Sequence, residues 1–236
     1  INKNVTIPYI RVEDTKKALQ DLAKAYRDEL KCKVVAITGS NGKTTTKDLL
    51  TTILSEKFKT QKTKGNLNNE IGVPKTVLSL DDDCEIAVIE LGTDNFGDIS
   101  LTSAIVRPDI SMITNIGDSH LHNLKSKSGI LKAKLEILEG MNDQGTFIYN
   151  IDDPTMKEEV PTYDIKQKVL SFGTDSEADF NIKFEESPSS KLRFSNGKDH
   201  YEIPLIGKHN VYNAAAVVMI AQISVSYTHL RAHETL

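Results

Sequence analysis

The stretch KVVAITGSNGKTTTKD, residues 33–48, constrains the fold more than any other part of the sequence. KVVAITG (33–39) is a short, β-branched apolar run ending in glycine, the pattern of a strand buried on both faces. KTTTKDLLTTILSEKF (43–58) reads as a helix. GSNG (39–42) joins them and resembles the phosphate loop G-x-x-x-x-G-K-[ST] with one difference. Counting back from Gly42, the first glycine is due where Ile37 stands, and it comes instead at Gly39. Position carries more weight than spacing. A helix opening directly after a buried strand presents unpaired N–H groups and a positive dipole end, both favouring phosphate. Gly39 and Gly42 let the backbone come close and take left-handed angles. Lys43 is placed to reach the β- and γ-phosphates of a nucleotide, and Thr44 to hold Mg2+ through its hydroxyl. Gly39, Ser40, Asn41, Gly42, Lys43, Thr44 and Thr45 therefore form a candidate nucleotide loop, against the plainer reading of a glycine-rich turn.

The rest of the chain repeats the strand–helix alternation. Residues 13–31 place Ala18, Leu19, Leu22, Ala23, Tyr26 and Leu30 on one helical stripe. KTQKTKGNLNNEIG is expected as a loop, VPKTVLSL as a short helix and CEIAVIELG (84–92) as a second buried strand. Residues 97–106 read as a helix stopped by Pro108, DISMITNIG (109–117) as a strand, 126–141 as a helix and GTFIYNID (145–152) as a strand. This order predicts a mainly parallel sheet flanked by helices. After about residue 165, KVLSFGT, DFNIKFEES and KLRFSNGKDHYEIPLIG predict a small antiparallel sheet turning at Asn196-Gly197, before a last helix HNVYNAAAVVMIAQI.

Composition removes several function classes. The net charge of −4 disfavours a general nucleic-acid binder. No apolar run approaches the ~18 residues of a membrane span. Cys32 and Cys84 have no metal spacing and suit buried positions in a reducing, cytoplasmic setting. INKNVTIPYI has no signal-peptide layout and no starting Met, so truncation is expected at this end. VSYTHLRAHET (225–235) breaks the helical pattern before it and reads as a non-native tail, which sets aside a metal role for His229 and His233.

Four further stretches, with the loop, carry a family resemblance. GNLNNEIGVP (65–74), ELGTDNFGDIS (90–100), TNIGDSHLHNLKSKSGILKAKLEI (114–137) and LIGKHNVYNAAAV (205–217) stand in the order of the Mur ligase family motifs. The resemblance spans about 33–224 and is strongest to the member that adds D-alanyl-D-alanine to UDP-N-acetylmuramoyl-tripeptide. It implies an ATP- and Mg2+-dependent ligase of cell-wall precursor synthesis that activates a carboxylate as an acyl phosphate for attack by an amine. It also implies a P-loop-type α/β fold, small-molecule partners and a monomer.

Glu90 ends an apolar run at the carboxyl end of a strand, where a carboxylate is either an expensive buried charge or a metal ligand; the Mg2+-ligand reading is preferred. The resemblance assigns metal binding to His120 as well, and to Lys134 after carbamoylation by CO2, a reaction that needs a neutral amine. His122 and Lys132 have no such support and are expected at the surface. Asn68 and Asn69 are placed to orient phosphate or a substrate carboxylate. Asn210 and Asn213 lie three apart on the last helix; the resemblance puts an adenine contact there, and a helix cap suits Asn210 equally. His209 has the same two readings. Asn150, Asp152 and Asp153 read either as neighbours of a ribose or as a turn before Pro154. Asn95 and Asp98 stand where many relatives carry His and Glu, so no base is available at position 95.

The expected organisation is 1–31 as the end of a UDP-substrate domain with a linker helix, 32–224 as a central ATP-binding domain and 225–236 as the non-native tail. With a third domain absent, these residues are expected to bind ATP and Mg2+ without ligating. Three alternatives remain: another Mur-type or folylpolyglutamate ligase, a phosphate-loop NTPase switch, and a nucleotide-binding module without catalysis.

Overall fold

The computed structural model describes residues 8–118, 121–186 and 191–234. Helix α1 (Thr15–Glu29) opens on Asp14, whose carboxylate accepts from Lys16 N at 2.8 Å and Lys17 N at 3.0 Å. There follow β1 (Lys33–Thr38), α2 (Lys43–Ser55), β2 (Thr60–Lys62), α3 (Gly72–Val77), β3 (Ile86–Glu90), α4 (Asp98–Val106) and β4 (Ile110–Ile113). Beyond them lie α5 (Leu121–Leu124), α6 (Lys127–Leu135), β5 (Thr146–Asn150), α7 (Pro154–Glu159), β6 (Lys168–Gly173) and β7 (Phe180–Asn181). The chain closes with β8 (Lys183–Glu185), β9 (Leu192–Asn196), β10 (Asp199–Ile203) and α8 (His209–Glu234).

Seven strands form one parallel sheet in the order β2-β3-β1-β4-β5-β6-β7. β1 sits mid-sheet, and its alternate residues face two helical layers. Val35 and Ile37 join Leu50 and Leu54 of α2 and Val211 and Ala215 of α8. Val34 and Ala36 join Ala23 of α1, Val77 of α3 and Ile105 of α4. On this second face α6 and α7 cover Phe147 and Tyr149 of β5. Burial on both sides is why these strands are nearly continuous apolar runs.

Several expectations need correction. Thr60–Lys62 was expected in a loop and is strand β2, a sheet edge where pairing on one side tolerates polar side chains. KVLSFG and Phe180-Asn181 were expected in the antiparallel sheet but extend the parallel one as β6 and β7. The intervening α7 carries the chain back across the sheet, so β6 runs alongside β5 with Ile148 opposite Leu170. Only β8, β9 and β10 form the antiparallel sheet, turning at Gly197. The helix expected over 126–141 tightens into a 3-10 turn at Glu136–Gly140. The α1 stripe is incomplete, since Leu22 is 59% exposed. Helix α8 continues past residue 225 to Glu234, while the side chains of His229 and His233 lie outside the described residues. Cys32 and Cys84 are free and buried, and no described helix is long and apolar enough to cross a membrane.

The buried guanidinium of Arg27 donates to Val106 O at 2.8 Å, Leu30 O at 3.0 Å and Cys32 O at 3.3 Å. It thereby ties α1 to α4 and to the segment leading into β1. Arg27→Met removes this fork and leaves the carbonyls buried; urea unfolding should show a loss of about 2–4 kcal/mol, with Arg27→Lys recovering only part.

Candidate functional site

The chain leaves β1 for the outer strands β2 and β3, then returns to the other side of β1 at β4. That reversal opens a crevice at the carboxyl end of β1, and the glycine loop fills it. Gly39 (φ 147°) and Gly42 (φ 81°) both need glycine. A Cβ at Gly39 would fall 1.8 Å from Thr114 Oγ1, and one at Gly42 would fall 2.6 Å from Asn213 Oδ1. The loop is tied down from β4: Ser40 N donates to Asn115 O (3.0 Å), Asn41 N to Asn115 Oδ1 (3.0 Å) and Thr114 Oγ1 to Asn41 O (2.5 Å). Gly42 caps α2 without a side chain, so the N–H groups of Lys43, Thr44 and Thr45 open the helix with no acceptor among the described residues. The Ser40 hydroxyl oxygen is buried and likewise lacks a partner among them. Free donors, an orphaned hydroxyl and a glycine-only backbone suit a phosphate group.

The predicted acid meets this loop. Glu90 is 2% exposed at the end of β3. Its Oε2 accepts from Thr44 Oγ1 at 3.0 Å and its Oε1 from Asn68 Nδ2 at 2.9 Å. Thr44 and Glu90 are the oxygen pair on the loop that could hold a hard divalent cation. Lys43 Nζ donates to Gly39 O at 2.7 Å, and burial holds its ammonium below lysine's ordinary pKa while the Glu90 charge acts the other way.

A cavity of about 440 Å³ lies beside the loop, between Lys43, Asn68, Asn69, Glu70, Asp94 and Lys134. Lys134 is 2% exposed, and its side-chain nitrogen makes no hydrogen bond or ion pair among the described residues. Burial, and then the nearby Lys43 charge, push its amine down to about 7. A substantial neutral fraction at physiological pH is what reaction with CO2 requires. A second, more apolar cavity of about 350 Å³ sits at the opposite strand ends, near Lys33, Phe58, Cys84 and Ile110, away from these groups.

Other sequence candidates take various places. Asn69 ties down the start of α3, its Oδ1 accepting from Gly72 N at 2.8 Å and Ile71 N at 3.2 Å, while still lining the cavity. Asn213 is buried against Gly42 and donates to Asn210 Oδ1 at 3.0 Å, and Asn210 donates to Ile206 O at 2.7 Å. His209 and His122 are exposed, as is Lys132. Asp153 caps α7 and accepts from Ile116 N at 2.7 Å, and Asp152 accepts from Thr174 N at 2.7 Å. Asn150 Oδ1 accepts from Asp152 N at 3.0 Å and serves the turn, while Asp152 and Asp153 also tie it to Thr174 and Ile116. Asp98 Oδ2 accepts from Asp94 N (2.9 Å) and Asn95 N (2.8 Å), fixing the loop after β3. His120 lies outside the described residues.

Sequence reasoning missed Lys47, whose ammonium lies 3.6 Å from Glu90 Oε2; its place four residues after Lys43, on the Leu50–Leu54 face, was the available signal. It also missed Thr63, whose hydroxyl accepts from Glu90 N at 3.0 Å, and Thr114 and Asn115, which follow a strand next to the loop.

Together these features define a phosphate-loop α/β protein with an acid and a neutral-leaning lysine beside the loop. Residues 37–221 match the Mur ligase middle domain, and the chain belongs to the Mur ligase family. It is 42% identical over 209 residues to the UDP-N-acetylmuramoyl-tripeptide–D-alanyl-D-alanine ligase of Bacillus subtilis (strain 168), covering 89% of this chain and 45% of that protein. The crystal structure of MurF from Acinetobacter baumannii superposes with a TM-score of 0.85 at 37% identity, covering 93% of this chain and 49% of that one. The MurF ligase of Thermotoga maritima in complex with ADP superposes at 0.80 with 30% identity, covering 94% and 52%. The chain spans about half the length of the curated relatives it matches.

The depressed Lys134 amine has a stability consequence. Between pH 7 and lysine's ordinary value of 10.5, unfolding takes up a proton, so stability is full above that window and falls as pH drops toward about 7. Relative to Lys134→Met, the wild-type protein should lose roughly a few kcal/mol between about pH 10 and pH 7 in denaturant titrations. A pH-independent difference would place the amine in water.

Proposed function

We propose that this chain is the nucleotide- and cation-binding part of a ligase joining D-alanyl-D-alanine to UDP-N-acetylmuramoyl-tripeptide in peptidoglycan precursor synthesis. The observation carrying this reading is the 42% identity over 209 residues to a ligase of that name. Residues 32–224 then constitute the central ATP-binding domain, 1–31 the end of the UDP-substrate domain with its linker, and 225–236 a non-native tail. These residues bind ATP and Mg2+, and the protein acts as a cytoplasmic monomer.

Joining a carboxylate to an amine requires activation, and the carboxylate and the γ-phosphate repel one another. ATP with Mg2+ supplies, when bound, the phosphoryl group that turns the carboxylate into an acyl phosphate. The residues here do the rest. The N–H groups of Lys43, Thr44 and Thr45 would bind phosphate oxygens, with Ser40 and Asn41 shaping the loop. Lys43 would add charge, Asn210 and Asn213 would meet the adenine, and Thr44, Glu90 and His120 would hold the cation. The neutral Lys134 amine attacks CO2, forming a C–N bond and releasing a proton to water. The resulting carbamate is an anion, so a repulsive lysine would become a cation ligand. Asn68 orients Glu90, and with Asn69 it borders the cavity where the substrate carboxylate is expected.

Phosphate release by the full-length gene product, with ATP, Mg2+ and UDP-N-acetylmuramoyl-tripeptide, tests the reaction. Release should depend on D-alanyl-D-alanine. Release that ignores every amine indicates an NTPase switch, and release with a single amino acid or glutamate indicates a sister ligase. The lysine chemistry has its own test. With CO2 withheld, Lys134→Glu should retain at least tenfold more activity than Lys134→Ala, because a fixed carboxylate replaces the carbamate, in keeping with roughly 10- to 100-fold effects around metal ligands. Equal loss in both would remove the carbamate from the mechanism.

A further inference from the structure

Lys47 is a fully enclosed lysine that the chemistry above leaves without a task. Its side chain is 2% exposed, and lysine is almost never buried unless paired. Nζ lies 3.6 Å from Glu90 Oε2 and donates to Gly65 O at 3.3 Å. Asp48 is 3.9 Å away, but its side chain is 51% exposed and already holds Lys62 at 2.7 Å. Glu90, itself 2% exposed, is therefore the anion that shares the enclosure of Lys47.

The contacts join three separate elements. Lys47 belongs to α2, the helix that presents the phosphate loop; Glu90 ends β3; Gly65 lies in the connection that also carries Asn68. The Glu90 carboxylate takes Thr44 and Lys47 on Oε2 and Asn68 on Oε1, so both oxygens have a set direction. Lys47 lines neither the cavity nor the groove along the loop, and any effect it has there must pass through Glu90 and Gly65.

We propose that Lys47 is a positioning residue: its ammonium fixes the Glu90 carboxylate toward Thr44 and holds the Asn68 connection against it through Gly65 O. The cation site is thereby assembled before nucleotide arrives. A ligand carboxylate must be held within about 0.5 Å of its working place, and a buried ion pair does this better than a solvated one. The proposal rests on the reading of Thr44 and Glu90 as cation ligands.

The test is Mn2+ affinity by electron paramagnetic resonance with a non-hydrolysable ATP analogue, for the wild-type protein, Lys47→Met and Lys47→Arg. Nucleotide affinity is measured alongside in EDTA. Lys47→Met should bind Mn2+ roughly 10- to 100-fold more weakly, the range for losing a partner of a metal-bound carboxylate. Its cation-free nucleotide affinity should be unchanged, and Lys47→Arg should recover most of the loss. A folded Lys47→Met protein that binds Mn2+ as tightly as wild type, or more tightly, overturns the proposal. No Mn2+ binding by the wild-type protein instead sinks the ligand assignment of Thr44 and Glu90, and the proposal with it. Where Lys47→Met does not fold, the double variant Lys47→Met/Glu90→Gln decides. Restored folding supports the pairing, because the stranded charge is gone; a double variant as unfolded as the single one overturns it.

Discussion

A parallel sheet places every strand's carboxyl end on one edge, and the position of β1 between β3 and β4 decides what meets there. From β1 comes the glycine loop, from β3 the carboxylate of Glu90, and from β4 the Thr114-Asn115 pair that anchors the loop. None of these groups is near another in sequence. Were β4 to pair elsewhere, the loop would lose the acceptors at Asn115, and Gly39 would lose the Thr114 contact that adds to its left-handed backbone in excluding a side chain.

Charge organises the site around that geometry. Lys43, Lys47 and Lys134 are all buried or nearly so, with Glu90 as the acid enclosed among them. Lys47 is paired with Glu90, and Lys43 leans on a backbone carbonyl. Lys134 is left to shed its proton, which is how a buried amine near a like charge lowers its energy. The arrangement leaves positive charge and unpaired N–H donors where phosphate would sit. It resembles a binding site more than a salt-bridged core.

Much of the fold was legible because each element carried a local signal. The run 33–39, its terminal glycine and the helix after it identify a strand–loop–helix unit whatever the rest of the chain does. Strand β2 was missed because a three-residue edge strand carries weak periodicity, whereas β6 and β7 were read as strands but placed in the wrong sheet, because pairing partners are a non-local choice. Glu90 was readable as an acid out of place in an apolar run. Lys47 was not, because a lysine within KTTTKD looks solvated until Glu90 and Gly65 close over it. Asn69 had a cap's residue type, but only the start of α3 at Gly72 shows which N–H groups it takes.

The sequence by itself determined the loop chemistry, the alternation of strands and helices, and the residue types available for phosphate and cation binding. These depend on local backbone freedom, side-chain chemistry and short-range periodicity. Tertiary structure alone decided that Thr44, Asn68 and Lys47 share one carboxylate, that Asn213 lies under Gly42, and that Lys134 stands buried without a partner among the described residues. Those relations depend on strand order and on the burial it imposes, and burial, not residue type, is what moves a lysine to about 7.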